Sequence, residues 1–242
     1  MTTFWRIIND VIDRAQIIIE VLDARLINET RNAEIERKIQ KKGRQIIYVI
    51  TKCDLVNIGE LKKKQKYLQP SVYISATEKL GTTILKKKIL ELSQGESVTV
   101  GVVGYPNVGK SSLINALCGR HSARTSPESG HTTGIQKIKV DNKIMLLDTP
   151  GVYPYKEKDE SKHAFIGAKD FNKVKEPELV AVELIEKNKG LIQKHYHVEK
   201  TDPEEILEEI SFRLKRLVKG GLPDLEATAR TILKDWQTGK IK

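Results

Sequence analysis

The octet Gly104-Tyr105-Pro106-Asn107-Val108-Gly109-Lys110-Ser111 sets two glycines, a lysine and a hydroxyl at the spacing G-x-x-x-x-G-K-S, after an apolar run and before a helical one. The backbone N–H groups of such a loop wrap a β-phosphate, with Val108, Gly109 and Ser112 among the expected contacts. Lys110 reaches the β- and γ-phosphates, and the Ser111 hydroxyl ligates Mg²⁺. Asp148-Thr149-Pro150-Gly151, 37 residues beyond Ser111, closes a second apolar run. An acid at a strand end beside phosphates suits a Mg²⁺ held through water, and the Gly151 N–H suits sensing of a γ-phosphate. Thr132 and Thr133 lie between these motifs, where a switch threonine that ligates Mg²⁺ in one nucleotide state belongs; Thr132 is the favoured one. Lys110, Thr132 and Gly151 are therefore also the catalytic candidates. Thr51-Lys52-Cys53-Asp54 ends a third apolar run. The Asp54 carboxylate can accept from guanine N1–H and the exocyclic amine, a pair adenine does not offer. The Lys52 stem can stack on the base, Cys53 fills the variable position, and Thr51 stands where asparagine is more usual. Ser75-Ala76, 21 residues after Asp54, fits a backbone contact to the guanine O6.

The order of the motifs carries information of its own. Ordinary GTPases begin with the phosphate loop and place the guanine motif near the end. Here the guanine motif leads by about fifty residues, the pattern of a circularly permuted GTPase. The sensor motif then runs directly into the C-terminal part, so its movement is expected to be passed on there. Val152 stands where many GTPases keep the glutamine that orients attacking water, which implies slow intrinsic hydrolysis. His131 reads as a solvated loop histidine. His195-Tyr196-His197 has no matching cysteine or acid and is assigned no metal. Cys53 and Cys118 read as plain thiols.

The elements that must position these residues follow from the patterning. β-rich runs at 16–24, 45–50, 71–75, 98–104, 135–140 and 144–147 alternate with helical stretches at 3–14, 31–42, 58–67, 81–92 and 110–117. That alternation marks an α/β protein with a mostly parallel sheet and helices on both faces. Asp141-Asn142 predicts a tight antiparallel hairpin. Each motif follows a strand end, where open α/β sheets bind ligands. Residues 152–175 read as a polar loop, and helices are expected at 178–189, 203–219 and 224–237. Asp202 is an N-cap with Pro203 at the first helical position. The expected division is a P-loop GTPase domain over 1–158 and a small helical domain over 159–242.

With 242 residues, 39% hydrophobic and 31% charged, the chain can bury a core. No run approaches the ~20 apolar residues of a membrane span, and the charged N-terminus lacks a secretory apolar region, so a cytoplasmic location is expected. The net charge is +10, and it is unevenly spread. Residues 1–97 carry 18 Lys and Arg against 12 Asp and Glu, residues 98–155 carry 6 against 3, and residues 156–242 carry 18 against 17. Basic clusters at Arg37-Lys38, Lys41-Lys42-Gly43-Arg44, Lys62-Lys63-Lys64 and Lys86-Lys87-Lys88 favour a polyanionic partner. RNA is the expected one, with no membrane or DNA and with the chain acting as a monomer.

The motif order T-K-C-D, S-A, G-Y-P-N-V-G-K-S, T-T, D-T-P-G, together with Val21-Leu22-Asp23-Ala24-Arg25 and the closing stretch from Ile232 to Lys242, resembles the YlqF/YawG family of circularly permuted GTPases over essentially the whole chain. The resemblance implies a ribosome-assembly GTPase that binds GTP and GDP with Mg²⁺ and acts mostly on the large subunit and its rRNA. It also implies a catalytic role for Asn107, which matches the loop asparagine that holds K⁺ beside the phosphates in potassium-stimulated relatives. Two other readings stand beside it: a permuted GTPase of small-subunit maturation, and a binding module that uses GTP with negligible hydrolysis.

Overall fold

The computed structural model describes residues 3–64, 66–119, 135–151, 153 and 160–241. The chain divides into two compact units, residues 1–157 and 158–242. In the first, α1 (Thr3–Arg14) leads to β1 (Ile17–Asp23), α2 (Ile27–Thr30), α3 (Ala33–Lys41), β2 (Gln45–Thr51), α4 (Ile58–Lys64), β3 (Ser71–Tyr73), α5 (Thr82–Leu92), β4 (Val98–Val103), α6 (Lys110–Cys118), β5 (Gln136–Lys139) and β6 (Ile144–Asp148). The six strands form one sheet in the order β3-β2-β1-β4-β6-β5. All its pairings are parallel except β5 with β6, whose hairpin is set by Asp141 accepting from the Lys143 and Ile144 N–H groups, both at 2.9 Å.

Every residue of β1 is buried, so both faces of the sheet are covered, and the strand reads as a continuous Ile/Val/Leu run for that reason. Trp5, Ile8, Val11 and Ile12 of α1 and Ile35 and Ile39 of α3 pack with Ile18, Val103 and Leu147. α5 and α6 bury Leu85, Ile89, Leu113, Ile114 and Leu117. One polar residue interrupts β1. Glu20 is fully buried, and its Oε1 accepts the Asn32 N–H at 2.7 Å. Burial, then the neighbouring Glu36 carboxylate, push its pKa well above the usual carboxylate range. Asn32 in turn caps α3, accepting from Glu34 and Ile35 N–H, which is why that helix starts at Ala33 rather than at 31.

The path of the chain creates the site. From β1 it moves outward to β2 and β3, then returns across the sheet through α5 to β4, on the other side of β1. β1 and β4 are therefore adjacent strands from which the chain departs in opposite directions, the arrangement that opens a crevice at their C-terminal ends.

The second unit holds α7 (Glu160–Phe165), a 3-10 turn at Phe171–Lys173, α8 (Pro177–Lys187), α9 (Lys189–Tyr196), α10 (Pro203–Arg213) and α11 (Leu225–Gln237). α8, α10 and α11 pack on one another and bury Leu184, Ile206, Ile210, Ile232 and Trp236 among others. Asp202 caps α10, accepting from Glu204 and Glu205 N–H at 3.0 and 3.2 Å. Two expectations are corrected. The polar stretch before 175 contains α7 and the 3-10 turn, the latter capped by Asp170, which accepts from Asn172 N–H. The helix expected over 203–219 ends at Arg213, because the backbone of residues 216–224 is taken up by a hairpin pairing Leu217 with Pro223. No helix among the described residues is long and apolar enough to cross a membrane, and no cluster of His, Cys, Asp and Glu among them is arranged to hold a metal by itself.

Candidate nucleotide site

β1, β2, β4 and β6 deliver Asp23, Thr51, Gly104 and Asp148 to the same end of the sheet. Thr51 closes β2, and its hydroxyl bridges the Leu22 carbonyl (2.9 Å) and the Val108 carbonyl of the phosphate loop (2.5 Å). At the position where asparagine is more usual, a threonine thus makes the link to the phosphate loop. The next residue, Lys52, is left-handed (φ 56°). Its ammonium donates to Asp23 Oδ2 at 2.7 Å and to the Asn107 carbonyl at 3.1 Å. Cys53 is buried and Asp54 half-exposed in the 3-10 turn that follows. The Cys53 N–H donates to the Ile74 carbonyl at 3.3 Å, which sets Ser75-Ala76 beside the guanine motif. The buried Ser75 hydroxyl accepts from Glu78 N–H at 3.1 Å and stiffens the 75–80 turn.

Pattern reading gives Asp23 and Arg25 no place in the site, although the V-x-D-A-R run carries the signal: an acid closing a buried apolar strand. Arg25 grips Asp23 with two bonds, Nε to Oδ1 at 3.0 Å and Nη2 to Oδ2 at 2.8 Å, and its side chain is 5% exposed. Burial alone would raise the Asp23 carboxyl. Lys52 and then Arg25 outweigh it and hold the group well below the usual range, so Asp23 stays ionised.

In the phosphate loop, Gly109 caps α6 and Lys110 opens it. The Lys110 ammonium is buried and donates to the carbonyls of Gly104 (3.2 Å) and Tyr105 (2.6 Å). Burial lowers its pKa to about 8, against the pull of Asp148. Asp148 is buried too, and burial raises it to about 6, with Lys110 opposing. Its Oδ1 has no hydrogen-bond partner among the described residues. An unpaired buried carboxylate oxygen beside the loop lysine, with Ser111 half-exposed in the first turn of α6, fits a divalent cation held with its water. Thr149 ties this strand end to β4 through a 2.7 Å bond to the Val102 carbonyl. Gly151 lies flat on the phosphate loop: a Cβ there would stand 2.5 Å from Pro106 Cα and 2.6 Å from its N, so only glycine fits. Tyr153 meets the Tyr105 ring edge-on at 6.0 Å. The site therefore joins Thr51, Lys52, Asp54 and Ser75-Ala76 on one side to Asn107, Val108, Lys110, Ser111, Asp148 and Gly151 on the other, with Ser112 exposed on α6. Thr132, Thr133, His131 and Val152 lie outside the described residues.

The chain matches the RsgA GTPase family over residues 6–156 and the 50S ribosome-binding GTPase family over residues 99–215. It is 39% identical to an uncharacterized GTP-binding protein of Methanocaldococcus jannaschii, covering 98% of this chain and 65% of that one. It is 34% identical to nucleolar GTP-binding protein 2 of Yarrowia lipolytica (98% and 49%) and 30% identical to nuclear GTP-binding protein NUG1 of Saccharomyces cerevisiae (98% and 54%). The chain thus spans about half to two thirds of the length of these relatives. In fold it is similar to the GNP-bound YlqF of T. maritima, with a TM-score of 0.69, 22% identity, and coverage of 99% of this chain and 95% of that one.

Two outcomes follow from this geometry. If Asp23 acts through Lys52, Asp23→Asn and Lys52→Met each lower GDP affinity about tenfold, the scale of one charge-assisted bond. The double variant is then no worse than the weaker-binding single one, and additive losses in a titration series would break the link. Second, Asp148 must be ionised to attract a divalent cation. Mg²⁺-dependent nucleotide affinity is therefore expected to fall more steeply than affinity in EDTA as pH drops through about 6, as read by fluorescent-nucleotide titration between pH 5 and 7.

Proposed function

This chain belongs to the RsgA GTPase family and has the circularly permuted fold of YlqF, and from that premise we propose that it binds GTP with Mg²⁺, hydrolyses it to GDP and phosphate, and uses the cycle as a switch in ribosome assembly, with the large subunit and its rRNA as partner. The observation that supports this most is the pair of bonds from Thr51 and Lys52 to the Val108 and Asn107 carbonyls. Two motifs more than fifty positions apart, in reversed order along the chain, are joined at one crevice.

Each residue has a role in this reading. Asp54 accepts from the guanine edge and excludes adenine. Thr51 and Lys52 hold the base subsite against the phosphate loop. The N–H groups at the start of α6 and the Lys110 ammonium face the phosphates. When bound, Mg²⁺ supplies positive charge to the β- and γ-phosphate oxygens, with Ser111 and Asp148 as its protein partners. Gly151 places a backbone N–H where the γ-phosphate ends, so loss of that phosphate is felt by the segment leading out of the nucleotide-binding unit. Asn107, left-handed at φ 60° in the loop, is proposed as the K⁺ residue. The ribosomal partner is proposed from the family and from the basic excess over residues 1–155.

The unmutated protein is expected to bind GTP far more tightly than ATP, and Asp54→Asn to weaken GTP by at least about tenfold while admitting xanthine nucleotides; equal affinity for ATP and GTP in competition assays would remove the guanine assignment. Intrinsic turnover is expected at about 10⁻⁴–10⁻² s⁻¹, faster in K⁺ than in Na⁺. Asn107→Ala is expected to abolish that difference in a phosphate-release assay, and indifference of the unmutated protein to the cation would leave Asn107 without the role.

A further inference from the structure

From the last turn of α10 onward, residues 212–222 are exposed without a break. They are nonetheless ordered by their own hydrogen bonds. Arg216 N–H donates to the Ser211 carbonyl, Asp224 N–H to Arg216 and Val218 N–H to Leu222, each at 2.9 Å, and Gly221 N–H donates to Val218 at 3.1 Å. Leu217 and Pro223 form an antiparallel bridge, and the tip is Gly220-Gly221, both at positive φ. Five of the eleven side chains are large and apolar: Phe212, Leu214, Leu217, Val218 and Leu222, between 38% and 65% exposed. Four are cationic, Arg213, Lys215, Arg216 and Lys219, and none is acidic. Arg213 has a partial counter-ion in Glu209 at 3.4 Å.

A helix end and hairpin, ordered by their own bonds, that keep five apolar side chains in water are a surface built for a partner. Its charge identifies the partner's class. Residues 158–242 carry 17 Lys and Arg against 16 Asp and Glu; without the four of residues 212–222, the rest of the unit is acidic, 13 against 16. The cations are also interleaved with the apolar positions rather than ringed around them. Protein interfaces keep charge, lysine above all, out of their centres. RNA-binding surfaces mix cations for phosphates with apolar and guanidinium faces for unstacked bases.

We propose that residues 212–222, the end of α10 and the hairpin that follows it, form an RNA-docking element that grips phosphates through Lys215, Arg216 and Lys219 and packs unpaired bases on Phe212, Leu217 and Leu222. It rests on the ribosomal reading for the source of that RNA, and it gives the helical unit a contact of its own, separate from the basic clusters of residues 37–88. The glycine tip lets the backbone approach the phosphates closely.

The test uses the full chain, loaded with a non-hydrolysable GTP analogue, and a fluorescein-labelled RNA stem-loop with a purine-rich unpaired loop. Lys215→Ala/Arg216→Ala/Lys219→Ala is expected to lower RNA affinity at least about tenfold and to flatten its salt dependence by about two in log–log slope, as three phosphate contacts are lost. Leu217→Ser/Val218→Ser/Leu222→Ser is expected to lower affinity about as much with the salt slope unchanged. All six substituted residues are exposed and outside the nucleotide site, so GDP affinity and Tm are expected to stay at the unmutated values. RNA affinity unchanged in both variants overturns the proposal. So does an apolar variant that keeps RNA affinity but no longer pellets with large subunits, since the hairpin then docks on protein. If the unmutated chain fails to pellet with large subunits while the variants still lose RNA affinity, the ribosomal reading fails and the hairpin assignment stands.

Discussion

The buried carboxylate of Asp23 is the constraint around which the nucleotide-binding unit is organised. It ends the central strand, lies beyond the reach of water, and remains ionised because Arg25 and Lys52 both bond to it. A charge in that position has to be met by fixed partners. Meeting it draws Lys52 into a left-handed turn and across to the Asn107 carbonyl, and so ties β1, β2 and the phosphate loop together. The end of β2 and the 104–111 loop are held at a set distance by this one cluster, with the Thr51 hydroxyl as a second, uncharged tie. Because the ties are hydrogen bonds between side chains and loop carbonyls, they do not depend on the order in which the chain visits the strands.

That independence explains how a permuted chain keeps the same crevice. The sheet order puts β1 between β2 and β4, and the crevice belongs to the adjacency of β1 and β4, not to sequence order. What permutation changes is where the chain leaves. The Asp148–Gly151 segment, packed on Pro106 with no room for a Cβ, becomes the last part of the nucleotide unit before the helical one begins. A segment that in an unpermuted chain would be followed by further strands of its own sheet is here followed by a different compact unit.

The charges left unbalanced in the free protein are the ones expected to change on binding. Lys110 and Asp148 are both buried, and burial moves their pKa values toward each other, to about 8 and about 6. Among the described residues Asp148 keeps an unpaired oxygen, and Lys110 occupies itself with two loop carbonyls. A phosphate and a cation would relieve both strains, which makes the site a matched receptor for a metal–polyphosphate pair. In the helical unit the same logic runs outward. There Tyr196 donates to the buried Asp235 at 3.0 Å, and most of the exposed large apolar side chains fall within residues 212–222.

Sequence by itself determined the class of fold, the strand-terminal position of each motif and the permuted order. These depend on local regularities: a buried strand must be a run of β-branched residues, a phosphate loop needs its glycines at fixed spacing, and a helix start shows in a cap such as Asp202-Pro203. It also showed that Thr51 departs from the usual asparagine, without showing what the threonine does. Only the tertiary structure decided that Thr51 reaches Val108, that Asp23 and Arg25 belong with Lys52, that Gly151 rests on Pro106, and that α10 stops at Arg213 so that 216–224 can turn back as a hairpin. Each of these joins residues distant in the chain, or sets a local helical preference against a competing pairing. Periodicity is silent on both, because the energy that decides them arises when separate segments meet and water is excluded between them.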